Sequence, residues 1–180
     1  MEHQAQADQF LENFIGGAKE LGFSFQENIL KQFCLYYEVL SLWNRSVNLT
    51  GLKTEQEQAV LLFADSLAGS FAFPENQSVS MVDIGTGAGF PGIPLKLAFP
   101  SLGVTLMEPR GNKVAFLHTA IGKLGLTGIS VLQKRLEECR SILEEDKWDV
   151  AVSKAVSLGQ ILPHVRNILK EDGRLVVFRS

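Results

Sequence analysis

The 180-residue chain is 46% apolar, with 16 glycines and 6 prolines, enough for one good-sized domain or a domain with an appendage. Its formal net charge of −3 argues against a strong nucleic-acid binder. The chain has no long unbroken apolar run, and its N-terminus MEHQAQADQF has no basic and apolar leader pattern, so membrane spanning and secretion are disfavoured and a cytoplasmic location is expected.

Charge is unevenly spread. Asp and Glu outnumber Lys and Arg ten to four through Glu75, whereas Lys and Arg lead thirteen to ten from Asn76 onward, which fits a front and a back portion with different partners. Cys34 and Cys139 stand in no CxxC or Cys/His ligand spacing, so reduced thiols and no metal site are expected.

The front portion, residues 1–75, reads as helical. Ala7, Phe10, Leu11, Phe14, Ala18 and Leu21 recur at helical spacing, although Gly16 and Gly17 weaken the middle of that segment. Ser24 to Glu27 has the arrangement of a capping box, followed by Ile29, Leu30, Phe33, Tyr37 and Leu40 on one face. WNRSVNLTG is polar and turn-rich and reads as a loop, with Asn48 expected to pin it and Trp43 to face the core. Thr54 to Glu57 repeats the start signal ahead of Val60, Leu61, Ala64, Leu67 and Ala68. FPENQS then marks the boundary.

From residue 76 to 180 the pattern alternates. VSMVDI, GVTLME, ISVLQ, WDVAVS and RLVVF read as strands. Helices are expected at 93–99, 113–124, 135–143 and 158–169, and Glu171-Asp172-Gly173 as the turn before the last strand. Such alternation predicts an α/β fold, a parallel sheet covered on both faces.

In such sheets ligands settle beyond the carboxyl ends of the strands. The first strand runs straight into Gly85-Thr86-Gly87-Ala88-Gly89, glycines that let the main chain pass close under a ligand. The second strand ends in Glu108, where a carboxylate can accept hydrogen bonds from two ribose hydroxyls. Together they look like an adenosine site. Gly87 to Gly92 also satisfies GxGxxG, so a nicotinamide dinucleotide competes. Against it, Pro91 and Pro94 remove N–H groups that a pyrophosphate would use, and Asp83 favours a cationic ligand. The charge favours S-adenosylmethionine; the dinucleotide and a purely structural glycine turn stay open.

DIGTGAGFPGIPLKL, with WNRSVNLTG before it and VTLMEPRGNKVAFL after it, closely resembles the bacterial small-subunit (16S) rRNA guanine-N7 methyltransferases, also called glucose-inhibited division protein B. The likeness runs from about Leu35 to the end of the chain. It implies a class I S-adenosylmethionine-dependent methyltransferase sheet, Rossmann-like, behind a short helical N-terminal region. By that resemblance Gly85 and Phe90 contact the methyl donor, with Gly87 and Gly89 shaping its loop. Asp83 and Thr86 are expected in the same donor-binding set, with bracing of the glycine turn the other reading of Asp83. Glu108 holds the ribose beside Pro109 and Arg110, while Leu136 and Glu137 flank the adenine. Lys154, in VSKAV, stands where the family usually carries arginine and is expected to act at the acceptor. Asp65 and Ser66, in FADSL, match a family segment at the domain junction. Arg45, Arg110, Lys113 and Lys154 are the expected RNA contacts, and 16S rRNA or the small ribosomal subunit the expected partner.

Guanine N7 has a free lone pair and no proton to remove, which suits a chain whose His3, His118 and His164 stand far from these motifs. Departures from the family pattern are Lys154, Leu61-Leu62 in place of an Arg-His pair, and an end at Ser180 after the fifth strand. Such folds continue through another helix and an antiparallel strand pair; without them the last strand is an open edge, and a monomer is expected unless that edge is paired. The departures keep a second function in view: a donor-binding protein, associated with RNA or ribosomal particles, with weak or lost catalysis. An NAD(P)-dependent oxidoreductase is the remoter alternative.

Overall fold

The computed structural model describes residues 2–74, 78–141, 147–154 and 156–178. Helix α1 (Glu2–Glu20) runs unbroken through Gly16 and Gly17 and buries Ala7, Phe10, Phe14 and Ala18 along one face. Gly17 is where another chain segment comes closest: a Cβ there would lie 2.9 Å from the Ala64 Cβ. Phe10 stacks on Tyr37 at 4.2 Å and meets Phe63 edge-on at 4.7 Å.

Helix α2 (Glu27–Asn44) does not start from the expected capping box. Its N-cap is Gln26, in extended backbone and with no side-chain cap. The competing demand is packing: Phe25 stacks against Phe14 and Phe23 at 5.9 and 6.1 Å, which favours an extended chain up to Gln26. The second box does form. Thr54 Oγ1 accepts the Glu57 N–H, and Glu57 accepts the Thr54 N–H, both at 3.1 Å, opening α3 (Glu55–Glu57). The path then widens into a π-helical segment, Gln58–Ala64, and tightens into a 3₁₀ segment, Leu67–Ala72, where one regular helix was expected. The FPENQS boundary lies partly outside the described residues.

Five parallel strands follow: β1 (Ser80–Ile84), β2 (Gly103–Met107), β3 (Ile129–Leu132), β4 (Trp148–Ser153) and β5 (Leu169–Val177), in the order β3-β2-β1-β4-β5. Alternation sorts their side chains. Met81, Val104, Leu106, Val150 and Val152 face a core shared with α1, α2, the π-helical segment, α4 (Gly92–Ala98) and α5 (Gly111–Leu124). Val82, Ile84, Met107 and Ala151 face α6 (Leu158–Ile168) and a 3₁₀ segment, Leu136–Ser141. That segment stands where 135–143 was expected as a helix, and the residues just beyond it lie outside the described ones.

β5 begins five residues before the expected RLVVF. Glu171-Asp172-Gly173 forms an irregularity within it, with the register shifting between Trp148↔Leu169 and Val150↔Arg174. Strand order reverses between β1 and β4, so the crevice for ligands opens at their carboxyl ends. Cys34 and Cys139 are free thiols. Among the described residues no helix is long and apolar enough to cross a membrane, and no group of three or more His, Cys, Asp or Glu could hold a metal ion.

Candidate active site

β1 ends at Ile84 and the backbone turns at once, with φ of +69°, +62° and +93° at Gly85, Gly87 and Gly89. Gly89 needs its missing side chain for space as well: a Cβ would lie 2.5 Å from Ile93 Cδ1 and 2.7 Å from the Tyr36 hydroxyl oxygen. Tyr36 is fully buried, donates to the Ala88 carbonyl and stacks on Phe90 at 5.3 Å. The helical layer thus holds the loop from beneath.

Asp83 is fully buried and lies under the loop rather than on the cavity wall. Its Oδ2 accepts the Thr86 hydroxyl at 2.6 Å and the Gly92 N–H at 2.8 Å, clamping both ends of the turn. Oδ1 has no hydrogen-bond partner among the described residues. Burial pushes this carboxyl up to about 7; the bonds from Thr86 and Gly92 and the Lys154 charge oppose that, and Glu108 adds to it. Asp83 and Thr86, expected to touch the donor, brace each other, with Thr86 also reaching the cavity wall.

Glu108, just past β2 and buried, accepts the Gly87 N–H and the Arg110 N–H, each at 3.0 Å. The second glycine-loop amide and the expected ribose acid are therefore joined directly. Pro109 and Arg110 are exposed beside them.

A cavity of about 650 Å³ opens above the loop. One wall is the loop itself, Gly85 to Ala88, with Phe90 and Lys113. The Lys113 ammonium lies 3.6 Å from where a Gly87 Cβ would be, so this expected RNA contact sits over the glycine loop. The opposite wall comes from the helical region: Leu49, Thr50, Leu52, Leu61, Leu62 and Asp65. Lys154 and Phe178, beyond β4 and β5, close it. The Lys154 ammonium is 2.5 Å from Asp65 Oδ2 and 5.0 Å above the Phe178 ring centroid. Burial lowers the Lys154 pKa below the usual lysine range, while Asp65 and Asp83 pull it back up.

Other expected residues lie apart. Arg45 is exposed at the end of α2. Leu136 is buried in the core on the α6 side, and Glu137 is exposed, 4.0 Å from Arg135; neither lines the cavity. Trp43 packs edge-on against Phe116 at 5.8 Å, as expected of a core residue. The polar loop is pinned by Asn44, where Asn48 was expected. Asn44 Oδ1 accepts the Leu49 and Thr50 N–H groups at 2.8 and 3.0 Å, and its amide donates to the Thr50 carbonyl at 3.3 Å. Asn48 is exposed.

Sequence reasoning missed Tyr36, Leu49, Leu52 and Phe178. Tyr36 had a readable signal, since Phe33, Tyr36 and Leu40 share a helical face. The loop leucines and Phe178 had none, because only the tertiary fold brings them over the glycines.

Residues 29–180 match the family model for GidB, rRNA small subunit methyltransferase G. The Ribosomal RNA small subunit methyltransferase G of Lachnoclostridium phytofermentans is 38% identical over 173 residues, covering 93% of this chain and 70% of that protein. That of Alkaliphilus metalliredigens is 36% identical over 162 residues, covering 89% and 68%. Among solved structures, the precorrin-6y C5,15-methyltransferase of Geobacter metallireducens superposes with a TM-score of 0.55 at 19% identity, over 73% of this chain and 65% of that one. Coclaurine N-methyltransferase bound to N-methylheliamine and SAH gives 0.58 at 14% identity, over 97% and 52%. At those identities the structures share the fold alone. The chain belongs to the GidB family, rRNA small subunit methyltransferase G, and is an S-adenosylmethionine-dependent methyltransferase.

Proposed function

We propose that this protein methylates N7 of a guanine in the 16S rRNA of the small ribosomal subunit, in the cytoplasm. The observation that carries the donor site is the Glu108 carboxylate bonded to the Gly87 amide, joining the carboxyl ends of the neighbouring strands β1 and β2. It ties an acid to a stretch of glycine backbone that lines the cavity, with the acid itself behind that loop, the pairing a nucleoside needs.

The residues fit the donor. Gly85 and Gly87 line the cavity, Gly85 with Val156 packed where its side chain would be, 2.4 Å from a Cβ there, and Glu108 keeps lone pairs free for the two ribose hydroxyls. Phe90 supplies an apolar wall, and Lys113 a cation over the loop. When bound, S-adenosylmethionine supplies an electrophilic methyl group on a sulfonium sulfur. The protein's task is to hold donor and acceptor in near-attack geometry, worth up to about 7–11 kcal/mol in favourable cases. Guanine N7 offers a free lone pair, so no side chain has to remove a proton. Lys154 stands on the acceptor side, and Arg45 and Arg110 are exposed for RNA phosphates.

The test is incubation with a tritiated methyl donor and purified small subunits or free rRNA, followed by nucleoside analysis. Label in 7-methylguanosine supports the proposal. Donor binding without label in any rRNA nucleoside would instead support an RNA-associated binding protein with lost catalysis.

A further inference from the structure

We propose that Tyr36, on α2 of the helical front region, is a positioning residue for the methyl donor: its hydroxyl holds the Ala88 carbonyl and so sets the glycine loop against which the donor lies. This rests on the methyl-donor reading of that loop and makes the helical region part of the donor site.

The loop cannot hold this carbonyl by itself. Neighbouring carbonyls are satisfied within the turn. Thr86 accepts the Gly89 and Phe90 N–H groups at 2.9 and 3.0 Å, and Gly89 accepts the Ile93 N–H at 2.7 Å. The amides that could close a turn onto Ala88 stand three and four residues on. The first belongs to Pro91, which has no N–H. The second, Gly92, donates to Asp83. Ala88 is buried, and a buried carbonyl without a partner is costly. The Tyr36 hydroxyl meets that need from outside the loop. It fits there because Gly89 has no side chain, a Cβ lying 2.7 Å from the hydroxyl oxygen.

The hydroxyl is a permanent donor. Tyr36 is fully buried, and burial, with the Asp83 carboxyl adding to it, holds its pKa well above the usual tyrosine value. The ring is clamped as firmly. Tyr36, Phe63 and Phe90 form a triangle, with centroids 5.0 Å apart for Tyr36 and Phe63, 5.3 Å for Tyr36 and Phe90, and 5.0 Å for Phe63 and Phe90. Phe90 lines the cavity, and Phe63 lies in the π-helical segment between Leu62 and Asp65, which line it as well. One buried tyrosine therefore fixes the backbone at Ala88, packs on the side chain of Phe90, and ties both to the helical segment that borders the same cavity.

The experiment is calorimetric titration of S-adenosylhomocysteine into the full chain, comparing the parent with Tyr36→Phe, which removes the hydroxyl and keeps the ring. Affinity should fall about fivefold to tenfold, the scale of one buried hydrogen bond. Tyr37→Phe is the matched control. That residue stacks on Phe10 at 4.2 Å and hydrogen-bonds Ser41, so its loss of a hydroxyl should leave affinity at the parent value. Phe25→Leu loosens the packing on Phe14 and Phe23; it should lower the melting temperature and also leave affinity unchanged. In methyl transfer to small subunits, Tyr36→Phe should raise the KM for S-adenosylmethionine by the same factor, with kcat at saturating donor held. A merely smaller folded fraction would lower kcat and leave KM alone, and that result overturns the role. Parent affinity in Tyr36→Phe, or an equal loss in Tyr37→Phe or Phe25→Leu, overturns it too. No binding of S-adenosylhomocysteine to the parent removes the donor reading and the role of Tyr36 with it, whereas parent binding that ignores Tyr36 removes the role alone.

Discussion

The Glu108 carboxylate accepts the Gly87 N–H at 3.0 Å, so the acid beyond β2 and the glycine loop beyond β1 are one hydrogen-bonded unit. Its other oxygen is held by the Arg110 N–H at the same distance. A carboxylate fixed in this way needs little reorganisation when a ligand arrives, and preorganisation of this kind raises affinity by reducing what binding has to order. The loop is held from the other side by Asp83 and Tyr36.

Gly89→Ala tests how tightly that loop is built. Alanine there meets both a φ of +93° and contacts of 2.5 and 2.7 Å with Ile93 and Tyr36. A loss of about 2–4 kcal/mol in denaturant unfolding is expected from strain and overpacking together. A variant as stable as the parent would show that the loop is free to relax.

Asp83 makes stability depend on pH. Its folded-state carboxyl titrates near 7 against an ordinary value of 3.8, chiefly because it is buried. Between those values the folded protein keeps a proton that the unfolded chain has released, so stability falls as pH rises through that window and levels off above it. The groups facing it are Thr86 and the Gly92 amide, with Lys154 and Glu108 as the charged neighbours. Asp83→Asn has nothing to titrate there. Its stability relative to the parent should therefore rise between pH 5 and pH 8, measured by urea unfolding; a constant difference contradicts this.

Asn44 and Asn48 separate two accounts of the loop over the cavity. Asn44→Ala removes three hydrogen bonds that hold Leu49 and Thr50 in the cavity wall. It should cost about 1–3 kcal/mol of stability. Asn48→Ala, at an exposed site, should stay within about 0.5 kcal/mol of the parent. The reverse ranking in thermal or urea unfolding would restore Asn48 as the pin.

What the sequence made legible was local or periodic. The strand runs, the Ala7–Ala18 face and the Thr54 box each carry their signal within a few residues, and all appear. The pairing of the glycine loop with Glu108 was readable because one βαβ unit contains both. Ser24 shows the opposite case: a good local signal lost to the packing of Phe25 on Phe14, which lies eleven positions away. The Lys154–Asp65 contact spans 89 residues and two layers, so no spacing rule could announce it. Lys113 was expected as an RNA contact; its direction, over Gly87, depends on how α5 sits against the loop.

Calorimetric titration of S-adenosylhomocysteine into the parent and into Glu108→Ala bears most directly on the nucleoside-binding crevice. A single site is expected in the parent, with affinity about tenfold to a hundredfold weaker once the acid and its ribose contacts are gone, while NADH gives no heat in either protein. Equal affinity in both proteins, or NADH binding in place of the thioether, would contradict a methyl-donor site at the ends of β1 and β2.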